Sequence, residues 1–196
     1  MMHRRSNFAA LKNMRIAWAD AESIPPPTIT LVTGGTIPAS GGTVSLEGTG
    51  VSHMRRALLG TQVLAYAVTD DEHMTVTLGP QVTDTGYLII ETRGGQVYPP
   101  PLLTFTPVLT SVTPNTGIAG GGEPIVLAGV GFLTPGLIVY LYDGSFFALP
   151  FVVDSNIQIT ATTVAHAPGG PFDILVYAPI AGGSASIPFT YIASPP

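Results

Sequence analysis

The amino-acid sequence predicts an all-β protein made of two tandem sandwich domains, and three observations support this prediction. Charged residues make up 10% of the 196 and hydrophobic residues 45%, which is too few charges and too much apolar surface for a disordered chain. Glycine and proline are plentiful, at 23 and 19, as expected for short strands joined by tight turns. The third observation is an internal repeat, since Pro27–Val51 resembles Pro107–Phe132 eighty positions later.

The repeat sets the predicted domain boundaries. Thr30, Val32 and Thr33 correspond to Thr110, Val112 and Thr113. The segment Leu102–Thr106 also resembles Ser186–Ile192 near the end of the chain. We therefore predict an N-terminal arm at 1–24, a first sandwich at 25–106 and a second at 107–196.

Short strands recur along both copies. Tyr142–Ser145 contains an Asp-Gly pair between two apolar runs, which is a strong hairpin signal. About seven short strands in each unit favour a small immunoglobulin-like sandwich. The predicted strands of the first copy are Thr28–Thr33, Thr43–Leu46, Gln62–Ala67, Met74–Leu78, Tyr87–Thr92 and Leu102–Thr106; those of the second are Val108–Thr113, Ile125–Gly129, Ile138–Tyr142, Ala148–Val153, Ile157–Thr162, Asp173–Tyr177 and Ile187–Ile192.

The glycine cluster at 117–122 could cradle a ligand or could shape a turn. A phosphate cradle needs a helix that begins directly after the glycines. Here an apolar run opened by Pro124 follows, and this run predicts a strand. We interpret these glycines as turn-formers that supply positive φ or a tight reversal.

The motif around these glycines resembles the IPT/TIG family of immunoglobulin-like domains. In the second copy the matching residues are Pro107, Val112, Pro114, Gly117, Gly121, Gly122, Gly129, Gly131 and Phe132. The first copy departs from the pattern, because Gly34 stands in place of proline and Val51 in place of phenylalanine. The resemblance covers residues 27–193 and implies a tandem, non-catalytic interaction protein without a cofactor.

Charge and composition disfavour several partners. Residues 1–24 carry four basic and two acidic side chains, whereas the remainder carries three arginines and ten acids. Such an acidic body lacks the basic stripe that nucleic acid requires, so we expect no nucleic-acid partner. No apolar stretch approaches the ~20 residues of a membrane helix, so we expect no membrane partner. The sequence has no cysteine, which excludes disulfides.

The N-terminal arm combines basic and large apolar residues. Lys12 and Arg15 interrupt the apolar core that a signal peptide needs, so we expect the arm to be retained. Ser6 could cap a short helix, and an ordinary loose terminus is the alternative. Large apolar side chains are costly to leave in water, which favours docking on a partner. The predicted docking residues are Arg4, Arg5, Phe8, Leu11, Met14, Arg15, Ile16 and Trp18.

Candidate chemistry is sparse. The four histidines lack the spacing of a zinc site, and His73 follows three acids in what we interpret as a solvated hairpin tip, so we expect no metal site. His166 lies in a predicted turn with no carboxylate partner nearby, and no nucleophile elbow is present, so we expect no catalysis. Most aromatics fall in strand patterns that predict core packing. Tyr142, Phe146 and Phe147 flank the Asp-Gly turn and form a candidate contact patch.

The resemblance also bears on biological role. IPT/TIG domains occur in cell-surface receptors, Rel-type transcription factors, bacterial surface proteins and enzymes, and bacteriophage virion proteins. We predict a virion structural protein, specifically a phage head decoration protein that docks on the major capsid protein through its arm in many copies or as a homo-oligomer. The alternatives are a tail or baseplate component, or an extracellular module that binds a glycan or a host cell surface.

Overall fold

The computed structural model describes residues 24–34, 36–81, 85–180 and 183–195. Strands dominate this part of the chain, which contains no α-helix and a single 3₁₀ turn, Val51–His53. The all-β prediction is therefore confirmed. The strands are β1 (Thr28–Thr33), β2 (Thr36–Pro38), β3 (Gly42–Thr49), β4 (Met54–Leu59), β5 (Gln62–Val68), β6 (His73–Leu78), β7 (Thr85–Gly86), β8 (Leu88–Thr92), β9 (Gly95–Val97), β10 (Leu103–Thr106), β11 (Val108–Thr113), β12 (Thr116–Ile118), β13 (Pro124–Val130), β14 (Ile138–Tyr142), β15 (Phe146–Ala148), β16 (Phe151–Ser155), β17 (Gln158–Thr162), β18 (Gly169–Ala178) and β19 (Gly183–Ile192).

The structure adds a strand that was not predicted and contradicts one predicted strand. The segment Met54–Leu59 forms β4, although it opens with Met-Arg-Arg and has no β-branched residue to signal a strand. The predicted strand Ala148–Val153 does not exist as one unit. The chain leaves one sheet after Ala148 and enters the other at Phe151, so the segment belongs to two strands, β15 and β16.

Among the described strands, each pairing lies within 28–106 or within 108–192. The first sandwich has a seven-stranded sheet, β1-β3-β6-β5-β4-β8-β9, and a three-stranded sheet, β2-β10-β7. The second has a four-stranded sheet, β11-β13-β17-β16, and a five-stranded sheet, β12-β19-β18-β14-β15. Each sandwich encloses its own apolar core, one around Leu46, Ile90 and Phe105, the other around Leu141 and Phe189.

Both sandwiches begin in the same way. The first strand pairs antiparallel with the third (β1 with β3, β11 with β13), and each pair contains one register shift, between Ile29 and Leu31 or between Leu109 and Ser111. The chain then crosses to the opposite sheet, where β2 and β12 run parallel to the last strands, β10 and β19. The repeated sequence therefore forms the same arrangement of strands at the start of both sandwiches.

The glycines of the repeat are required by this packing. A Cβ on Gly48 would overlap the carbonyl oxygen of Thr28, and a Cβ on Gly129 would overlap that of Val108. Gly121 has φ +65° at the turn before β13, and its amide donates to the carbonyl of Ile118 at 3.0 Å. Gly121 thus supplies the positive φ expected of a turn-former, whereas Gly48 and Gly129 permit close backbone approach within paired strands.

The two sandwiches touch through a small junction. The Asn156 side-chain amide donates to the Gln81 carbonyl at 3.1 Å, and the Gln81 amide donates to the Ala39 carbonyl at 2.7 Å. Gln81 is buried, and Val130 packs against the first core. The junction therefore combines apolar contact with backbone-directed hydrogen bonds.

Within the described ranges, no helix has the length and apolar character needed to cross a bilayer.

Candidate functional site: an aromatic groove on the second sandwich

The outer face of the five-stranded sheet is unusually rich in aromatic side chains. Along β14, Val139 and Leu141 point into the core, so strand alternation directs Tyr140 and Tyr142 outward. Along β18, Ile174 and Val176 are buried in the same way. The outward positions of β18 are Asp173, Leu175 and Tyr177.

The β14–β15 hairpin completes this face. The Asp-Gly turn closes the hairpin as the sequence predicts, and it places Phe146 directly opposite Tyr142. The Phe146 ring lies 4.8 Å from the Tyr142 ring and 5.3 Å from the Tyr140 ring, centroid to centroid. Such spacing is typical of favourable aromatic pairs, so the three rings support one another.

These side chains line a groove of about 540 Å³, which we call the aromatic groove. Its lining residues are Tyr140, Tyr142, Phe146, Asp173, Leu175 and Tyr177. Phe146 keeps 64% of its surface exposed, and Tyr142 and Tyr177 keep 36% and 37%. A volume of this size is typical of small-molecule sites. Large exposed rings gathered at one place indicate a binding surface.

The chemistry of the aromatic groove is apolar with a polar edge. Four aromatic rings and one leucine supply apolar contact, three phenol hydroxyls can donate or accept hydrogen bonds, and Asp173 supplies acceptors. Asp173 is the single charged side chain of this lining. The groove therefore offers surface for an amphipathic ligand and no cationic partner for an anionic one.

The candidate contact patch divides between two environments. Tyr142 and Phe146 line the aromatic groove, whereas Phe147 follows the opposite side of the hairpin, paired with the inward-facing Leu141. Phe147 is 39% exposed, and its ring meets the His166 ring edge-on at 5.6 Å. All three side chains are exposed, but two of them, not three, belong to the groove.

The structure gives His166 a carboxylate partner that the sequence prediction missed. Nε2 of His166 lies 2.9 Å from Oδ2 of Asp143, and Nδ1 lies 2.9 Å from the carbonyl oxygen of Ala167. The expectation of no nearby carboxylate is wrong because it considered only sequence neighbours, while the partner is 23 residues away in the β14–β15 turn. The Ala167 carbonyl, followed by Asp143, raises the pKa of His166 against the opposing effect of burial. The His166 contact, followed by the amide of Ser145, lowers the pKa of Asp143.

The acidic cluster near His73 forms a turn, in agreement with the interpretation as a hairpin tip. Asp70 accepts the backbone amides of Glu72 and His73, both at 2.8 Å, and its carboxylate lies 2.8 Å from Nδ1 of His73. Asp71 accepts the amides of Gly50 and Ser52 and the Ser52 hydroxyl. These carboxylates are engaged in local hydrogen bonds. In the part of the chain that the structure describes, no three potential ligands gather as a metal site would require.

The prediction that most strand aromatics pack in the core is wrong. Tyr66, Tyr87 and Tyr98 are exposed at 38%, 64% and 58%. The buried aromatics are instead Phe105, Phe132, Phe189 and Tyr191. The sequence reasoning also missed Tyr140, Tyr177, Asp173 and Leu175 as groove residues. The signal was the alternation of residues within β14 and β18. It places Tyr140 and Tyr142 on one face of the first strand, and Asp173, Leu175 and Tyr177 on one face of the second.

The predicted docking residues of the arm, from Arg4 to Trp18, lie outside the described residues. Docking through the arm therefore remains a prediction from the sequence.

Several solved structures of other proteins are similar to this chain. The extracellular region of Plexin A4 is 18% identical, with coverage of 89% of this chain and 19% of that chain and a TM-score of 0.41. The surface glycan-binding protein PbSGBP-B from Prevotella bryantii is 19% identical, with coverages of 84% and 42% and a TM-score of 0.49. SGBP-B from a xyloglucan utilization locus of Bacteroides uniformis is 19% identical, with coverages of 85% and 49% and a TM-score of 0.37. This chain spans less than half the length of each of the three.

The curated proteins provide no match to the sequence. A family model does match, over the second sandwich, at residues 107–191, and its description is the IPT/TIG domain. The match does not include the arm or the first sandwich, so the tandem arrangement of two such domains stays a prediction from the repeat. Residues 107–191, with their two packed sheets and their turn-forming glycines, are therefore similar to an IPT/TIG domain.

Proposed function

We propose that this chain is a non-catalytic binding protein whose aromatic groove takes a neutral glycan. The observation that carries the proposal is the gathering of Tyr140, Tyr142, Phe146 and Tyr177 on one outer sheet face. These rings do not belong to the core of the second sandwich, because that core lies on the other side of the same sheet. Their exposure on the outer face therefore favours a binding role.

A glycan fits the chemistry of the groove. A sugar ring has apolar C–H faces and a rim of hydroxyls. The C–H faces can lie against the aromatic rings, while the hydroxyls reach the phenols and the Asp173 carboxylate, which together can both donate and accept. Without a basic side chain in the lining, an anionic sugar would meet Asp173 uncompensated. Neutral sugars are therefore the preferred class.

The groove also supports a binding role over a catalytic one. Glycoside hydrolysis normally uses two carboxyl groups on opposite sides of the bond to be cleaved. The lining contains one carboxylate, Asp173, which can accept hydrogen bonds from sugar hydroxyls. We accordingly propose that the protein is not an enzyme.

Affinity electrophoresis of the full chain through gels containing neutral polysaccharides tests this proposal. We expect retardation by at least one neutral glucan, mannan or xylan. Tyr142→Ala or Phe146→Ala should weaken binding about tenfold or more, as truncation of a central aromatic contact does. Tyr98→Ala is the matched control, since Tyr98 is similarly exposed but lies in the first sandwich. Equal retardation of all variants, or none across the panel, would contradict the proposal.

The sequence favours a second, compatible function, the decoration of a bacteriophage head. The observation behind it is the arm, whose basic and apolar residues suit docking on an acidic protein surface such as that of the major capsid protein. On a virion lattice, many copies would add avidity to weak individual contacts. A tail or baseplate position, or an extracellular surface, are the alternative locations.

Removal of residues 1–23 separates the two functions. If the arm is the anchor, the truncated protein stays folded, no longer sediments with virion shells, and still binds glycan through the groove. If the truncated and full chains sediment alike, the decoration proposal fails while the glycan proposal is unaffected.

A further inference from the structure

One histidine lies behind the hairpin that carries half of the aromatic groove. His166 belongs to the connection between β17 and β18, and its backbone amide donates to the Ala119 carbonyl at 3.0 Å. Its side chain is 10% exposed. The ring stacks on Tyr191 at 5.1 Å and meets Phe172 edge-on at 4.6 Å. His166 is thus anchored to the body of the second sandwich, while its partner Asp143 belongs to the β14–β15 turn.

Both ring nitrogens of His166 face atoms that can only accept. Nδ1 faces the carbonyl oxygen of Ala167, and Nε2 faces the carboxylate of Asp143. A neutral imidazole has one N–H, so one of these two contacts would set a lone pair against an oxygen. The imidazolium donates to both. Its charge also lies within cation–π distance of the Tyr191 and Phe172 rings.

We propose that protonated His166 is a positioning residue that latches the β14–β15 hairpin to the body of the second sandwich and so holds Tyr142 and Phe146 in the aromatic groove. The hairpin needs such a latch because β15 is the edge strand of its sheet and all three of its residues are exposed. Tyr142 immediately precedes the latched Asp143, and Phe146 lies opposite Tyr142. The latch itself requires no ligand; only its consequence for binding rests on the proposed function.

The sign of the pH dependence follows from the two partners. Because the pKa of His166 is raised above 6.5 in the closed state, the latch is complete at pH values below 6.5 and is lost as pH rises through the closed-state pKa. Because the pKa of Asp143 is lowered below 3.8, its carboxylate stays ionised until strongly acidic pH and continues to accept from His166. The latch is therefore closed in mildly acidic solution and opens toward alkaline pH.

Other titratable groups around His166 leave this window clear. On β19, the Tyr191 hydroxyl donates to the Val164 carbonyl at 2.9 Å, and burial raises its pKa above 10. Glu123, before β13, accepts a hydrogen bond from the Ile118 amide at 2.6 Å, and its charge further raises the pKa of Tyr191. Phe147 on β15 and Phe172 on β18 do not titrate. Among the described residues, His166 is accordingly the group at this contact whose charge changes as pH rises above 6.5.

Hydrogen exchange and histidine titration, both by NMR on the ligand-free full chain, test the latch. The His166 ring resonance, assigned by its loss in His166→Gln, should titrate above the ordinary value. Protection factors of the amides of residues 143–149 should fall over the same pH range. By linkage, the fall should be tenfold for each pKa unit between the closed and open hairpin.

Two variants distinguish a latch from simple packing. In Asp143→Asn the amide can donate to a neutral Nε2 or accept from a protonated one, so protection should stay high and lose its pH dependence while the pKa of His166 falls. In His166→Gln the step in protection should vanish. His73→Gln is the matched control, because the His73–Asp70 contact in the first sandwich is exposed on both sides and should not affect the hairpin.

Hairpin protection that stays flat while His166 titrates would overturn the latch, as would a step that persists in His166→Gln. Glycan binding measured at pH 6, where the latch is closed, keeps the two proposals separate. A pH-dependent hairpin without glycan binding at pH 6 would reject the glycan proposal alone. Glycan binding with a pH-independent hairpin would reject the latch alone.

Discussion

The two sandwiches start from the same repeated segment and diverge after it, and one of the differences lies at β5. In the first, β5 is continuous: its residues Gln62–Leu64 pair with β4 and Ala65–Val68 pair with β6, which joins the strands into one seven-stranded sheet. In the second, the equivalent segment is divided into β15, which pairs with β14, and β16, which pairs with β17. The repeat therefore specifies the shared scaffold, whereas the hairpin that carries part of the aromatic groove lies where the copies differ.

The division in the second sandwich has a local cause. Leu149 donates its amide to Val139 in one sheet, and Pro150 accepts the amide of Thr162 in the other, at 2.9 and 2.8 Å. Leu149 is also buried in the core. Proline has no amide to donate to a ladder, so it is compatible with the change of sheets that these two hydrogen bonds hold in place. The short β15 that results leaves Phe146 at the sheet edge, where its ring is exposed.

The largest expected effect concerns the scaffold that the sandwiches share. Gly129→Ala places a Cβ against the Val108 carbonyl and within 2.5 Å of the Phe132 ring, and Gly48→Ala meets the Thr28 carbonyl. Each substitution should destabilise its own sandwich by about 3 kcal/mol, since backbone on a paired strand must move. Chemical denaturation, followed by NMR signals from each sandwich, measures this.

Gly122→Ala provides the control for that experiment. Gly122 has φ +85°, but no heavy atom lies within 4 Å of the added Cβ. The cost should be the backbone strain alone, about 1 kcal/mol. If Gly129→Ala costs no more than Gly122→Ala, close approach of the first strand is not what the repeat preserves.

A smaller effect is expected at the position where the sandwiches diverge. Pro150→Ala should cost about 0.5–1 kcal/mol, mainly through the greater freedom of the unfolded chain, because Pro150 is exposed. We expect β15 and β16 to stay in separate sheets. The Leu149 amide still donates to Val139, and the carbonyl of residue 150 still accepts from Thr162. Amide exchange and thermal unfolding report both properties. A merged strand resembling β5 would show that the proline alone causes the division.

The smallest expected effect concerns the groove itself. Phe146→Ala should change the free energy of unfolding by no more than about 0.5 kcal/mol, because Phe146 is 64% exposed. Thermal unfolding at pH 6 measures this change. A loss above 2 kcal/mol would mean that Phe146 serves stability, and its exposure would then lose its value as an indication of binding.

The sequence predicted the scaffold well because its signals are local. The Asp-Gly turn, the repeated glycines and the alternating runs each specify a neighbouring hairpin or strand, and the structure contains them. The groove was predicted in part, through Tyr142 and Phe146. Tyr177 and Asp173 reach it through the pairing of β14 with β18, which joins residues 31 to 39 positions apart in the sequence. The Asp143–His166 contact depends on the same long-range packing, and no local pattern encodes it.

The proposed glycan site lies on the outer sheet face of the second sandwich. NMR chemical-shift mapping tests this directly, on the isotope-labelled full chain at pH 6, titrated with an oligosaccharide of the neutral polysaccharide that retards the chain most. We expect the perturbed residues to concentrate at Tyr140, Tyr142, Phe146, Asp173 and Tyr177. Perturbations confined to loops at the ends of the sandwich, or to the first sandwich, would contradict the claim and place binding elsewhere on the molecule.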